Sequence, residues 1–124
     1  MKNVTLQAGN EQDFFRRGRR LARLADAGQP LPEERTLSFE DPADLLRLLT
    51  ASRLDVFRSV KSEPGSITVI AGRLHRDRSA VKRDVDQLAQ AGLVTVETKT
   101  LPGHGRMKEI RAAAGVFRLE AMLV

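Results

Sequence analysis

The stretch from Ser66 to Leu93, SITVIAGRLHRDRSAVKRDVDQLAQAGL, most strongly constrains how this chain of 124 residues folds. Within it, apolar residues recur at the spacing of one helical face in two successive segments. They are Ile67, Ile70, Ala71 and Leu74, followed by Val81, Val85 and Leu88. Ser66 and Asp77 stand where helix N-caps are expected, and Gly92 closes the second segment because glycine tolerates a left-handed helix end. The pattern predicts two helices with a turn near His75 and Arg76, which is a helix-turn-helix arrangement.

The outward face of the second predicted helix indicates what the motif binds. If Val81 marks the direction of the core, several polar residues point away from it at about 100° per residue. They are Ser79, Lys82, Arg83, Asp86 and Gln90, with Arg78 on the flank of the first turn. Basic and hydroxyl side chains at this spacing suit the major groove of DNA, whose base edges and flanking phosphates accept hydrogen bonds. The alternative is an ordinary amphipathic helix with a solvated charged face.

The segment after Gly92 predicts a wing. Residues 93–98, LVTVET, alternate and are rich in β-branched side chains, which is typical of a strand. Residues 101–106 are predicted as a loop because proline and glycine interrupt them, and residues 107–111 resume a strand pattern. This order predicts a winged helix-turn-helix, with His104, Arg106 and Lys108 able to reach phosphate or the minor groove. An exposed hairpin tip without a binding role is the alternative.

The run from Asp77 to Val94, DRSAVKRDVDQLAQAGLV, resembles the recognition helix and first wing strand of MarR/ArsR-type winged-helix regulators. Nearly the whole chain also resembles a group of small prokaryotic predicted regulators, through residues 76–85 and the earlier segments 39–41 and 49–53. Members of that group are often encoded beside small toxin genes, so the resemblance implies an antitoxin-like role.

Three residues depart from the pattern of these regulators. Arg76 occupies a turn position that is often apolar, and Asp84 and Asp86 bring negative charge to the recognition helix. Arg76 is nevertheless counted among the expected DNA contacts. We expect Asp84 to orient Arg83 or a neighbouring basic group, whereas Asp86 either weakens DNA contact or reads a cytosine.

Charge is unevenly distributed along the chain. Residues 1–50 hold 8 basic and 8 acidic side chains, whereas residues 51–124 hold 13 basic and 8 acidic ones and so carry the whole net charge of +5. The excess lies in the half with the predicted DNA-binding motif, where attraction for a polyanion is needed, although this charge also suits solubility. Five phenylalanines are the only aromatic residues, which argues against stacking of single-stranded bases.

Other function classes lack a signature in the sequence. There is no cysteine, and the two histidines, His75 and His104, stand far apart, so a metal site is not expected. No catalytic triad, paired carboxylates or phosphate-binding loop is present, which predicts a protein that is not an enzyme and needs no cofactor. No apolar run approaches the length of about 20 residues that spans a bilayer, and the N-terminus is not signal-like. We therefore expect a cytoplasmic protein.

Residues 1–40 are predicted to extend a winged domain formed by residues 41–124. The extension contains a strand over residues 1–8, a helix over residues 11–27 and a strand over residues 35–39. The helix carries a cluster of arginines at Arg16, Arg17, Arg19, Arg20 and Arg23. Three interpretations compete for this cluster: a solvated face that binds a protein partner, direct contact with phosphate, and a helix at a membrane surface.

The remaining segments complete the predicted fold. Residues 42–61 are predicted as the first helix of the winged domain, with a break at Thr50. Residues 116–124 favour a strand over a helix, pairing with the N-terminal strand of the same or another subunit. The predicted class is therefore mainly α with a small β-sheet, a winged helix-turn-helix with an N-terminal strand-helix extension.

Two functional hypotheses follow. The first is a homodimeric repressor that binds a specific double-stranded DNA sequence at its own promoter through residues 77–91. The second is an antitoxin whose arginine-rich helix neutralises a toxin protein, with DNA binding secondary. A regulator that senses a small effector is a third possibility, for which the sequence shows no convergent polar pocket.

Overall fold

The computed structural model describes residues 3–8 and 33–124, with the exception of His104. Within these ranges it forms five strands and four helices: β1 (Asn3–Ala8), β2 (Glu34–Phe39), α1 (Pro42–Leu48), α2 (Ala51–Ser62), α3 (Ile67–Leu74), α4 (Arg78–Gln90), β3 (Val94–Leu101), β4 (Gly105–Ala112) and β5 (Val116–Ala121). The described part is thus a mixed α/β structure with two small sheets. The predicted helix over residues 11–27 and its arginine cluster lie outside the described residues.

The first sheet is parallel, with β2 between β1 and β5. Side chains alternate along β2, so that Arg35, Leu37 and Phe39 are buried. Within one subunit the C-terminal strand does not pair with the N-terminal one, as one form of the expectation had it: β5 pairs with β2, with Leu119 opposite Leu37. The apolar residues of β5 thereby align with the buried face of β2, which explains the pairing.

The first two helices are separated at residues 49–50, as the sequence predicts. Asp41 caps α1, its Oδ1 accepting a hydrogen bond from the backbone N–H of Ala43 at 2.9 Å. Thr50 caps α2, its Oγ1 accepting from the backbone N–H of Arg53 at 3.2 Å. Phe57 of α2 meets Phe117 of β5 edge to face, with 5.5 Å between ring centroids, so α2 packs against the parallel sheet.

The two central helices follow the predicted boundaries. Ser66 caps α3 through the N–H of Val69, and the turn contains His75 in the left-handed region, with φ of 52°. Asp77 occupies the N-cap position of α4, but its side chain makes no cap hydrogen bond. Apolar residues from α2, α3 and α4 form a common core: Val56, Val60, Ile70, Ala71, Val81, Val85 and Leu88.

An antiparallel hairpin of β3 and β4 follows Gly92. The predicted loop over residues 101–106 is too long, because the ladder continues until Leu101 faces Gly105. Gly103 and Gly105 adopt φ of 78° and 74°, which only glycine adopts without strain, and the chain reverses within three residues. Two backbone hydrogen bonds between Gly65 and Ile110 attach the hairpin to the start of α3.

Candidate nucleic-acid interface

The polar face of α4 lies on the protein surface. Its apolar face, formed by Val81, Val85 and Leu88, is buried in the core. The opposite side exposes Arg78, Ser79, Lys82, Arg83, Asp86 and Gln87. Gln90, which was expected on the outward face, is half-buried. The helix therefore presents three basic side chains to solvent within its first two turns.

These exposed residues differ in how far their charge is offset. Lys82 Nζ lies 2.8 Å from Asp86 Oδ2, one helical turn away, and the two charges largely cancel. Arg78 Nε donates to Thr68 Oγ1 of α3 at 2.8 Å, a contact that orients the guanidinium without neutralising it. Arg83 makes no hydrogen bond or ion pair within the part of the chain that the structure describes. Arg78 and Arg83 therefore keep their full positive charge.

Thr68 also belongs to this surface, although the sequence did not predict it. It is the exposed second residue of α3 and lies between the apolar residues Ile67 and Val69. No local pattern in the sequence indicates its partner, because Arg78 lies ten residues later, on the next helix. Its bond to Arg78 joins the outer surfaces of α3 and α4.

Asp84 pairs with a basic group, as expected, but of the two expected partners it is not Arg83: the group is Arg53. Its carboxylate accepts a hydrogen bond from Ser52 and lies 3.4 Å from Arg53 Nε, both on α2. Position 84 falls on the flank of α4 that faces α2, so the nearest basic partner comes from another helix. The negative charge of Asp84 is thus paired with a basic residue of α2, and it does not lie on the outward face of α4.

The side chain of Arg76 points toward α2 and not toward solvent. Its Nη1 donates to the carbonyl oxygen of Ser52 at 2.9 Å, and its Nη2 lies 2.8 Å from Asp55 Oδ2. These contacts tie the turn between α3 and α4 to α2. Because a half-buried guanidinium with these partners is already satisfied, Arg76 supports the motif in this conformation rather than extending its exposed basic face.

A second basic surface lies near the tip of the hairpin. Arg106 stands opposite Thr100 and Lys108 opposite Thr98, and all four side chains are exposed. They share one face of the hairpin with Ile110, because side chains on one face recur every two residues. Ile110 is buried against the helices. The basic side chains therefore lie on the same face of the hairpin as the core, but nearer the tip, where that face is exposed. His104 lies outside the described residues.

The opposite face of the hairpin holds an ion-pair network. Glu109 Oε1 lies 2.9 Å from Lys99 Nζ and 2.6 Å from Arg111 Nε, and Glu97 lies 3.5 Å from the same Arg111 nitrogen. The hydrogen bond from Lys99, together with the Arg111 guanidinium, holds the pKa of Glu109 below its ordinary value of 4.5. The carboxylates of the hairpin are therefore neutralised away from Arg106 and Lys108.

Among the described residues, which do not include His104, no group of three histidine or acidic side chains is placed to hold a metal ion. None of the helices in the described part of the chain has the length and apolar character needed to cross a bilayer.

Comparison with known proteins places this arrangement in a family. The model of the HVO_A0114 family matches residues 48–114, more than half of the chain. The chain belongs to the HVO_A0114 family. The segment that this HVO_A0114 protein shares with its family begins at the end of α1 and includes α2, α3, α4 and the β3–β4 hairpin. Both basic surfaces therefore fall within the family segment.

One solved structure resembles this HVO_A0114 protein over part of its length. It is described as a possible transcriptional regulator from Methanosarcina mazei Go1, with 23% sequence identity and a TM-score of 0.48. The match covers 57% of this chain and 64% of that one, so it spans less than two thirds of the neighbour. Among curated proteins, none matches the chain.

Proposed function

We propose that this HVO_A0114 family member is a sequence-specific, double-stranded DNA-binding transcriptional regulator. In this proposal α3, the turn at His75 and α4 form the helix-turn-helix, and the β3–β4 hairpin is the wing. The protein acts as a homodimer that represses transcription at its own promoter. Each copy inserts α4 into the major groove of one half-site.

The observation that carries the proposal is the outward face of α4. Lys82 and Arg83 are exposed, while the opposite side of the helix is sealed into the core by Val81 and Val85. A helix that exposes basic side chains on one face fits the major groove of B-DNA, which is about 12 Å wide. Because Arg83 has no partner within the described residues, its guanidinium is available for a guanine edge or a phosphate.

The β3–β4 hairpin supports the same function because it carries a second exposed basic surface. Arg106 and Lys108 are exposed without a carboxylate partner among the described residues, whereas the acidic residues of the hairpin are paired on its other face. In the proposed complex these two side chains hold phosphates beside the groove that α4 enters. Phosphate contacts of this kind fix the register of a protein on the duplex.

The proposed set of DNA contacts is narrower than the set predicted from sequence. It retains Arg78, Ser79, Lys82, Arg83, Arg106 and Lys108, and His104 stays a prediction because it lies outside the described residues. Arg76 is assigned to holding the turn against α2, because both of its terminal nitrogens already bond to that helix. Arg78, fixed by Thr68, is assigned to a phosphate or base at the start of the recognition helix.

The experiment that tests the function is a footprint on the DNA upstream of this protein's own gene. Full-length protein is titrated against that fragment and against a shuffled fragment of equal length, at two salt concentrations. The proposal expects a protected, palindrome-like site on the upstream fragment that persists at the higher salt. Equal, weak and salt-sensitive binding to both fragments would show that the basic face binds DNA without reading its sequence.

The antitoxin alternative stays a prediction from the sequence. It depends on the arginine cluster between residues 16 and 23, which lies outside the described residues. Co-purification of the tagged protein with the product of a small adjacent gene would support it. Replacing the five arginines by glutamine should then release that partner and leave the DNA footprint intact.

A further inference from the structure

The outer edge of β5 has a defined arrangement of backbone groups. β5 ends the parallel sheet, and no strand of the described residues pairs with its far side. The N–H of Val116 donates to the carbonyl oxygen of Glu33 at 2.7 Å, so the N–H groups of alternate residues from 116 onward face β2. Consequently the N–H and C=O groups of Phe117, Leu119 and Ala121 face outward. Such an edge is a template for a further strand.

We infer that this edge pairs with β5 of a second copy of the chain, antiparallel and with Leu119 on the two-fold axis. This interface rests on the proposed function, which expects a homodimer, and it assigns the surface through which the two copies meet. The two three-stranded sheets then join into one sheet with six described strands. A two-fold axis perpendicular to the sheet keeps the helices of both copies on the same side.

Backbone geometry limits the registers available to such a pair. Hydrogen-bonded pairs form where an outward-facing residue stands opposite another outward-facing residue. Two symmetric registers meet this condition and keep most of β5 paired: one is centred on Arg118 and the other on Leu119.

Charge selects between these two registers. Centring on Arg118 places this residue opposite its own copy, and like charges directly opposite each other destabilise a sheet. Centring on Leu119 places Arg118 opposite Glu120 of the second copy, and the symmetry creates this favourable pair twice. A further shift, to Glu120, pairs that carboxylate with itself. The charge pattern of β5 is therefore complementary to itself in one register.

The charged side chains of this edge can make these contacts in addition to those within one copy. Arg118 Nη2 lies 3.9 Å from Glu34, a distance at the limit of an ion pair, and Glu120 accepts one hydrogen bond from Ser38. Both side chains remain exposed and lie on the same face of the sheet. Each keeps hydrogen-bonding capacity for a residue across the edge.

Exposed apolar residues support the same register. Val116 is 60% exposed and Met122, directly after β5, is 77% exposed. In the register centred on Leu119 these two residues stand opposite each other and flank the Arg118–Glu120 pairs. On the other face Phe117 stands opposite Ala121 of the second copy, which continues the apolar layer under α1. Pairing thus removes apolar surface that the described residues of one copy leave in water.

The test exchanges charges on the full-length protein in the absence of DNA. Arg118→Glu makes the edge wholly acidic, and Glu120→Arg makes it wholly basic. The molar mass of each variant is measured by sedimentation equilibrium over a range of concentrations, alone and as an equimolar mixture. Lys61→Glu on α2 is the control for charge reversal away from the edge, and it should dimerise like the original protein.

The inference expects the unmodified protein to be a dimer and each edge variant to dissociate about tenfold more readily. Mixing the two variants should restore the dimer, because each acidic edge then faces a basic one. That restoration also demonstrates that both variants are folded. A monomeric original protein, edge variants that dimerise normally, or a mixture that stays monomeric would each overturn the inference.

A footprint of the original protein and of the edge variants on the upstream DNA distinguishes failure of the interface from failure of the proposed function. If the original protein is monomeric yet protects the upstream site, the interface and the homodimer fail, and sequence-specific DNA binding stands. If the mixture restores the dimer but no upstream site is protected, the function fails and the interface stands.

Discussion

Asp84 of α4 and Arg53 of α2 form an ion pair with 3.4 Å between Oδ1 and Nε, and their side chains are only 14% and 22% exposed. Arg53 Nη1 in turn donates to the carbonyl oxygens of Arg47 and Leu48 at the end of α1. One arginine therefore links the end of α1, the start of α2 and the inner flank of α4. This linkage fixes the direction in which the basic face of α4 points.

Asp84→Ala should destabilise the fold. The substitution leaves the Arg53 guanidinium and the Ser52 hydroxyl without their carboxylate in a mostly buried site, so we expect the free energy of unfolding to fall by about 1–3 kcal/mol. Urea unfolding at neutral pH measures the change. Asp86→Ala removes a carboxylate from the same helix, but from an exposed pair with Lys82, and should cost at most about 1 kcal/mol. Equal losses for the two variants would mean that the Arg53 contact does not anchor α4.

Arg106→Ala and Lys108→Ala should weaken DNA binding without changing its sequence preference. Both side chains are exposed near the hairpin tip and are assigned to phosphates. Each substitution should lower affinity for specific and shuffled DNA by a similar factor and reduce the slope of log K against log salt by about 1. Fluorescence anisotropy at several salt concentrations provides both quantities. A loss confined to the specific site would instead assign the residue to a base edge.

Glu109 should make the stability of the hairpin depend on pH in the acidic range. Its pKa lies below 4.5 in the folded protein, so its contribution to stability is present above the unfolded pKa and is lost as the pH falls through the folded value. Relative to Glu109→Gln, the original protein should be more stable at pH 6, and this advantage should shrink as the pH falls below about 4.5. Unfolding by urea across that pH range measures the difference. An advantage that stayed constant would contradict the role assigned to the Lys99 and Arg111 contacts.

Gly115→Ala should weaken the attachment of β5 to the sheet. A Cβ at this position would lie 2.9 Å from the backbone carbonyl oxygen of Glu33, the atom that accepts the hydrogen bond from Val116. Backbone atoms cannot move aside as a flexible side chain can, so the strand must shift and the melting temperature should fall. Gly72→Ala is the matched control, since a Cβ there meets nothing within 4 Å and alanine favours a helix. A smaller loss at position 115 than at position 72 would show that the contact is not restrictive.

The elements that could be predicted from the sequence are those determined by local patterns. The boundaries of α3 and α4 follow from helical spacing and from the Ser66 cap. These signals are local, because each depends on residues that lie close together in the sequence. The exposure of Lys82 and Arg83 follows from the same periodicity, once Val81 is assigned to the core.

Long-range pairing could not be predicted in this way. Nothing near Asp84 in the sequence indicates that its partners lie on α2, more than thirty residues earlier. The same holds for Arg76, whose acceptors on α2 are brought near only by the packing of α2 beside the turn. Likewise, β5 has an alternating pattern that fits more than one neighbour, and the choice of β2 depends on the whole sheet.

The length of the hairpin shows how turn chemistry limits prediction. Proline and glycine between Leu101 and Arg106 are typical of a loop, yet Gly103 and Gly105 at positive φ allow a tight reversal and let both strands continue. The exposed basic face of the hairpin depends on this extension, because Arg106 lies in the ladder rather than in the turn.

The measurement that tests the central claim most directly is the affinity of Arg83→Ala for the upstream DNA and for shuffled DNA, compared with Arg47→Ala. Arg47 is an exposed arginine on α1, so its substitution removes the same charge from outside the proposed interface. If α4 reads the major groove through Arg83, its loss should cost about 1–3 kcal/mol on the upstream site and much less on shuffled DNA, while Arg47→Ala stays close to the original protein. Equal affinities for the two variants on the upstream site would contradict the assignment of α4 as the recognition helix.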